Sequence, residues 1–139
     1  MRICGAIFDV DGTLLDSMSI WDTIGEDYLH SIGYEPKENL KDVFKNMSLH
    51  QAARHYRTKY GVTLSINEIT AGVNAMLEQY YRFEAPLKEG AAELLEQLRG
   101  SGVKLCIATT TDRYSRKLQA ANWGHHLLPL YKNNEKETL

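Results

Sequence analysis

Two short apolar runs stand out in the hydrophobic pattern of the chain. Residues 3–8 (ICGAIF) and 103–108 (VKLCIA) are each followed by a polar segment. Short, mainly apolar runs bounded by glycine or polar residues are typical of buried β-strands. We therefore predict a strand in each run. The first strand is expected to be covered on both faces, as strands of a parallel sheet usually are.

Between these runs, apolar residues recur at helical spacing. The pattern predicts four successive helices with short links over residues 17–83, then a helix that stops at residues 100–102. Another helix is predicted at 113–121. The apolar faces of the first four helices contain Ile20, Trp21, Ile24, Tyr28 and Ile32; Leu40, Val43, Phe44 and Met47; Leu49, Ala52, Ala53, Tyr56 and Tyr60; and Ile69, Val73, Met76, Leu77 and Tyr80.

This order of elements predicts an α/β fold, in which a partial Rossmann-like parallel sheet receives an inserted four-helix bundle after its first strand. The α/β core is expected to comprise residues 1–16 and 84–139, and the helical insertion, called the cap below, residues 17–83.

Charge and composition narrow the classes of partner. The 139 residues carry a formal net charge of −2, which gives no reason to expect a nucleic-acid or membrane partner. The sequence shows neither a transmembrane segment nor a signal peptide, so we expect a cytoplasmic protein. Cys4 and Cys106 fall in the two predicted strands, where reduced thiols act as small apolar side chains.

The most informative motif, residues 9–16 (DVDGTLLD), directly follows the first strand. Because alternate strand residues point the same way, Asp9 and Asp11 are expected to face one cleft. Two adjacent carboxylates repel each other unless a cation lies between them or one is protonated. A nucleophilic carboxylate on a Mg²⁺-held phosphate, beside a proton donor, meets both conditions. Gly12 permits a tight turn close to a ligand, and Thr13 adds a hydroxyl group.

Two other interpretations of this motif must be weighed. Asp-x-Asp-Gly is also a common turn sequence. A calcium-binding EF-hand loop begins in the same way, but it needs an acidic or amide residue at its fifth position and glutamate at its twelfth. Those positions hold Thr13 and Ile20, so calcium binding is rejected.

A polar segment also follows the second predicted strand. In a parallel sheet the carboxyl ends of neighbouring strands share one edge, where ligands bind. If the two strands are neighbours, Thr109 lies next to Asp9 and Asp11 and is a candidate donor to phosphate oxygens. Thr110 is a second candidate for substrate binding. Both threonines could instead be ordinary turn or helix-capping residues.

Taken together, residues 9–13 (DVDGT), 86–90 (PLKEG) and 105–109 (LCIAT) resemble the motifs of the haloacid dehalogenase superfamily, in the subfamily with a helical cap that includes phosphatases and β-phosphoglucomutases. The resemblance implies Mg²⁺-dependent hydrolysis of a small phosphorylated metabolite through an aspartyl-phosphate intermediate. Asp9 would attack phosphorus, and Asp11 would protonate the leaving alcohol and then activate water. The Asp9 carboxylate and the Asp11 backbone carbonyl would bind the metal, and Thr109 would hold the transferred group.

Within this family the cap residues favour a phosphatase. Sugar phosphomutases of this type place a histidine in the first cap helix and an arginine in the loop between cap helices, positions that correspond to Trp21 and Leu49 here. Neither residue can orient a sugar phosphate in that way, so a phosphomutase is disfavoured. Trp21 is expected to be a core residue of the helical bundle, and the nearby His50 a surface residue.

The resemblance weakens toward the end of the sequence. The family has a later lysine motif and a pair of metal-binding acids, which Lys132 or Lys136 and Glu135 or Glu137 match poorly. We therefore expect a C-terminally truncated or altered member, whose α/β core is incomplete because a further strand of the family is missing. Two further hypotheses stay open: a catalytically impaired fragment or subunit that another chain completes, with self-association through an exposed sheet edge, and a cap-mediated binding module.

Overall fold

The computed structural model describes residues 3–108 of the chain. Its elements are, in order, β1 (Gly5–Phe8), α1 (Ile20–Ser31), α2 (Leu40–Phe44), α3 (Leu49–Tyr60), α4 (Ile66–Phe83), α5 (Ala91–Gly100) and β2 (Lys104–Ile107). The predicted strand, four-helix insertion, helix and strand are thus confirmed in order and type. The predicted helix at 113–121 lies outside the described residues, as do Thr109, Thr110 and the candidate residues of the C-terminal segment.

The two strands pair in parallel, as the sequence predicts. Gly5 lies opposite Lys104 and Phe8 opposite Ile107. The ladder continues past both ends, because the Lys104 N–H donates to the Cys4 carbonyl at 3.1 Å and the Ala108 N–H donates to the Phe8 carbonyl at 2.9 Å. Since the strands run in the same direction, the residues that follow Phe8 and Ile107 lie at the same edge of the sheet.

The expectation that β1 is covered on both faces is wrong for this part of the chain. Ala6 and Phe8 pack against the hydrophobic core, whereas Ile3 and Ile7, on the alternate positions, are 61% and 74% exposed. The physical reason is that apolar packing within residues 3–108 reaches only one face of the strand.

The chain divides into two compact units. Residues 3–18 and 80–108 belong to the first, and Ser19–Gln79 forms the second. The core of the first unit joins the turn after β1 to the end of α4, to α5 and to β2. Its buried members are Val10, Leu14, Leu15, Tyr81, Ala85, Ala91, Leu95, Val103, Leu105 and Ile107.

The second unit is a set of capped helices. Ser48 and Gln51 form a reciprocal capping box at the start of α3, which ends at Gly61 in the left-handed conformation. Ser65 and Glu68 exchange hydrogen bonds at the start of α4. Trp21 was expected in the core of this bundle but is 43% exposed. It lies in the first turn of α1, before the buried positions of that helix begin at Ile24.

Two further properties follow from the same description. No helix within residues 3–108 is long and apolar enough to cross a membrane. His50 is exposed on α3, as expected of a surface residue.

Candidate active site

The turn after β1 is built around one backbone carbonyl. The N–H groups of Thr13, Leu14 and Leu15 all point to the Val10 carbonyl oxygen, at 3.2, 3.0 and 2.9 Å. Gly12, with a φ of 71°, lies at the bend and donates its N–H to the Leu15 carbonyl. A φ in this range is unfavourable for residues with a Cβ, so glycine suits this position.

The turn is tied by its backbone to the segment that precedes α5. The Asp16 N–H donates to the Pro86 carbonyl, and the Lys88 N–H donates to the Leu14 carbonyl, both at 2.9 Å. Leu15 lies between these bonds and is fully buried. The segment at 86–90, singled out in the sequence, therefore supports the acidic turn from the side.

Asp9 directly follows β1, and its side chain is exposed. Its Oδ1 atom accepts the N–H of Val10 at 2.8 Å. Ala108 lies at the same sheet edge, bonded to the Phe8 carbonyl. A carboxylate at the carboxyl end of a parallel strand is accessible to a ligand in the crevice at that edge.

Asp11 is in a different environment, because it is half-buried and accepts hydrogen bonds from two hydroxyl groups. Ser17 Oγ and Tyr81 Oη each donate to the Asp11 Oδ1 atom at 2.6 Å. Both O–H···O distances lie at the short end of the usual range for hydrogen bonds between oxygen atoms. The donors are 0% and 2% exposed respectively, so packing holds both of them in place.

Neither Ser17 nor Tyr81 was identified as a site residue from the sequence. The i, i+4 spacing of Val73, Leu77 and Tyr81 on α4 could have indicated that Tyr81 is buried, as all three residues are. No local pattern could have indicated its partner, since Tyr81 and Asp11 are 70 residues apart.

The other candidate residues are only partly covered by the structure. Gly12 and Thr13 lie in the turn, with Thr13 exposed. Thr109 and Thr110 lie outside the described residues. The roles of Asp9, Asp11, Gly12, Thr13, Thr109 and Thr110 in catalysis, substrate binding or metal binding therefore remain predictions.

The donor atoms near the turn suit Mg²⁺ in chemistry. The ion prefers oxygen ligands and usually takes one or two carboxylates plus water and substrate phosphate. The exposed Asp9 carboxylate and the backbone carbonyl of Asp11 are ligands of this kind. Residues 3–108 hold no group of three or more histidine, cysteine or acidic side chains that could bind a metal, so most of the coordination would come from water and phosphate.

The sequence of this chain is similar to those of known proteins. The chain is 31% identical over 111 residues to (DL)-glycerol-3-phosphatase 1 of Arabidopsis thaliana, an alignment that covers 78% of this chain and 37% of the relative. It is 28% identical over 120 residues to Protein CbbY of Rhodobacter capsulatus, covering 81% of this chain and 53% of the relative. The chain thus spans between about a third and a half of the length of these relatives.

The fold is also that of a solved relative. CbbY from Rhodobacter sphaeroides, crystallised with phosphate, superposes with a TM-score of 0.64 at 21% sequence identity, over 93% of this chain and 61% of the other. The model of the family described as haloacid dehalogenase-like hydrolase matches residues 6–128, a span that includes most of β1, the acidic turn, all the helices and β2. The chain therefore belongs to the haloacid dehalogenase-like hydrolase family.

Proposed function

We propose that the protein is a Mg²⁺-dependent phosphatase that hydrolyses a small phosphate monoester through an aspartyl-phosphate on Asp9. The single observation that carries the proposal is the contrast between two neighbouring carboxylates. Asp9 is exposed at the end of β1, whereas Asp11, two residues later, is half-buried and held by two buried hydroxyl groups. Two carboxyl groups in such different environments suit two different roles in one reaction.

The proposed reaction has two steps. In the first, an Asp9 carboxylate oxygen attacks phosphorus, the P–O bond to the alcohol breaks, and protonated Asp11 gives its proton to the departing oxygen. In the second, Asp11 takes a proton from water as that water attacks the phosphoryl group, which releases inorganic phosphate and restores Asp9. A covalent intermediate divides a slow hydrolysis into two easier steps.

The remaining groups bind the phosphate in this proposal. Mg²⁺, held by the Asp9 carboxylate and the Asp11 backbone carbonyl, would neutralise charge on the phosphoryl oxygens. Gly12, which has no side chain, would let the turn approach the phosphate closely. The hydroxyl groups of Thr13, Thr109 and Thr110 are the proposed hydrogen-bond donors to the same oxygens.

The names of the relatives indicate the substrate class. One is a glycerol-3-phosphatase, another is a CbbY protein, and a solved CbbY mutant holds xylulose-1,5-bisphosphate. Their shared chemistry is a phosphate group esterified to a small polyhydroxylated carbon chain. We propose a substrate of this class for the present protein.

Phosphate release tests the proposal directly. Wild-type protein, the Asp9→Asn variant and an Asp27→Asn control would be assayed against small sugar and polyol phosphates, with Mg²⁺ and after chelation. Asp27 is an exposed carboxylate on α1. Removal of a nucleophile is expected to lower kcat by about 10³-fold or more, and the control to retain the wild-type rate. Equal rates in wild type and Asp9→Asn would refute the proposed role of Asp9.

A second candidate function is that of a subunit or fragment completed by another chain. It is favoured by the exposed apolar side chains of Ile7 on β1 and of Ile3 just before it, since neighbouring exposed apolar side chains offer a surface for protein contacts. The measurement is the molar mass by light scattering over a range of concentrations. This candidate would be supported if the protein associates, if Ile7→Ser abolishes the association, and if Phe83→Ser, at another exposed apolar position, does not. A constant monomer mass would exclude self-association.

A further inference from the structure

We propose that Tyr81 is a positioning residue for Asp11, an inference that rests on the proposed function of Asp11 as the proton-transfer group. The Tyr81 hydroxyl donates to Asp11 Oδ1 at 2.6 Å across 70 residues of sequence. The ring is 2% exposed and packs in the core of the first unit. A phenol buried in this way has little freedom to turn its hydroxyl elsewhere.

The contact is part of a two-donor arrangement on a single carboxylate oxygen. Ser17 Oγ also donates to Asp11 Oδ1 at 2.6 Å, from a residue that is fully buried. Two fixed donors on Oδ1 define the plane of the carboxylate, and therefore the direction in which Oδ2 points. A proton-transfer group must be held in this way, because it acts only within hydrogen-bond reach of the reacting atom.

Backbone pairing explains how Tyr81 is placed so accurately near Asp11. The chain leaves α4 after Phe83, and Ala85, which is buried, packs in the same core as Tyr81. The next residue, Pro86, accepts the N–H of Asp16. The end of α4 is thereby anchored within five residues of Tyr81 to the same turn that carries Asp11.

The position of the two donors along the chain is also informative. Ser17 lies two residues before the first residue of the second compact unit, and Tyr81 lies two residues after its last residue. Both donors therefore belong to the first unit, as Asp11 does, and each lies close in sequence to the boundary with the second unit.

The neighbouring tyrosine provides a matched control. Tyr80 is on the same helix, and the centroids of the Tyr80 and Tyr81 rings are 5.5 Å apart. Its hydroxyl, however, reaches only a backbone carbonyl, that of Asp16, at 3.5 Å. Tyr81→Phe and Tyr80→Phe each delete one phenolic oxygen and keep the ring, so a comparison of the two isolates the hydrogen bond to Asp11.

The kinetic test measures kcat and KM separately for phosphate release from p-nitrophenyl phosphate with Mg²⁺. Tyr81→Phe is expected to lower kcat by about tenfold or more, since misplacement of a proton-transfer group slows the chemical step. KM is expected to stay within about twofold of wild type, because a group that acts only on the reacting atoms changes kcat and not ground-state binding. Tyr80→Phe should leave both values unchanged. A Tyr81→Phe enzyme with wild-type kcat would overturn the proposal.

A second measurement tests the contact without relying on turnover. Unfolding equilibria would be measured for wild type, Tyr81→Phe, Asp11→Ala and the double variant. Tyr81→Phe is expected to raise the unfolding equilibrium constant by about fivefold when Asp11 is present, as loss of an intramolecular hydrogen bond does, and much less when Asp11 is absent. Additive effects would overturn the contact itself.

The two measurements distinguish failure of this inference from failure of the proposed function. Coupling in the unfolding cycle together with an unchanged kcat would show a purely structural contact, which overturns the positioning role alone. A wild-type protein that releases no phosphate from any substrate would overturn the proposed function, and the positioning role with it.

Discussion

Replacement of Gly12 by alanine is expected to destabilise the folded protein. Gly12 has a φ of 71°, and an added Cβ would lie 3.0 Å from Met18 Cγ and 3.3 Å from Met18 Sδ. A residue with a Cβ in the left-handed conformation costs about 1–2 kcal/mol. Met18 is 53% exposed and flexible, so it can move away at little further cost. The expected destabilisation is therefore about 1–2 kcal/mol.

Thermal unfolding followed by circular dichroism measures this effect. For a chain of this size, about 1 kcal/mol corresponds to roughly 3–5 °C, so Gly12→Ala is expected to lower Tm by about 3–10 °C. Gly12→Asn should lower Tm by less than Gly12→Ala does, because asparagine tolerates the left-handed region better. Gly100→Ala is the control: it ends α5 with nothing within 4 Å of the added Cβ, and it should be neutral or slightly stabilising. An unchanged Tm in Gly12→Ala would show that the turn does not require glycine at this position.

Two further predictions concern the second unit. Gly72→Ala would place a Cβ 2.6 Å from Cε2 of the buried Tyr28; we expect a loss of about 1–3 kcal/mol from overpacking, measured by urea denaturation, and an unchanged midpoint would contradict it. The hydrogen bond from His55 lowers the pKa of Glu38 below its ordinary value of 4.5, so this contact stabilises the folded state above pH 4.5 and the stabilisation is lost as the pH falls through the lower pKa of the folded state. Glu38→Gln should therefore reduce Tm near neutral pH, with the difference from wild type shrinking in acid. Asp27→Asn, at an exposed carboxylate on α1, is the control. A difference in Tm that does not vary with pH would count against the prediction.

The parts of the fold that follow from local sequence could be predicted, because their causes are local. The spacing of apolar residues identified each helix of the second unit. The structure places local signals at the helix ends as well, with Gly61 at the end of α3 and Ser65 at the start of α4. The parallel pairing of the two apolar runs followed from the long helical connection between them, since parallel strands need such a crossover.

The features that could not be predicted depend on distant partners. Ile7 looks like a buried strand residue in sequence, yet its exposure depends on whether another layer covers that face of β1. Trp21 fits the apolar pattern of α1 but lies before its packed portion. For the candidate site, the acidic turn was visible as a motif. The partners Tyr81 and Asp11, in contrast, are separated in sequence by the whole second unit. A polar contact between such distant residues leaves no periodic pattern.

The most direct test of the central claim is to identify the residue that becomes phosphorylated during turnover. Protein mixed with substrate and Mg²⁺ would be quenched in acid and treated with borohydride, which reduces an aspartyl-phosphate to homoserine, and its peptides would be analysed by mass spectrometry. Homoserine is expected at position 9 in the wild type, and none at that position in Asp9→Asn. Substrate turnover that labels a different residue, or that leaves Asp9 unmodified at every quench time, would contradict this expectation.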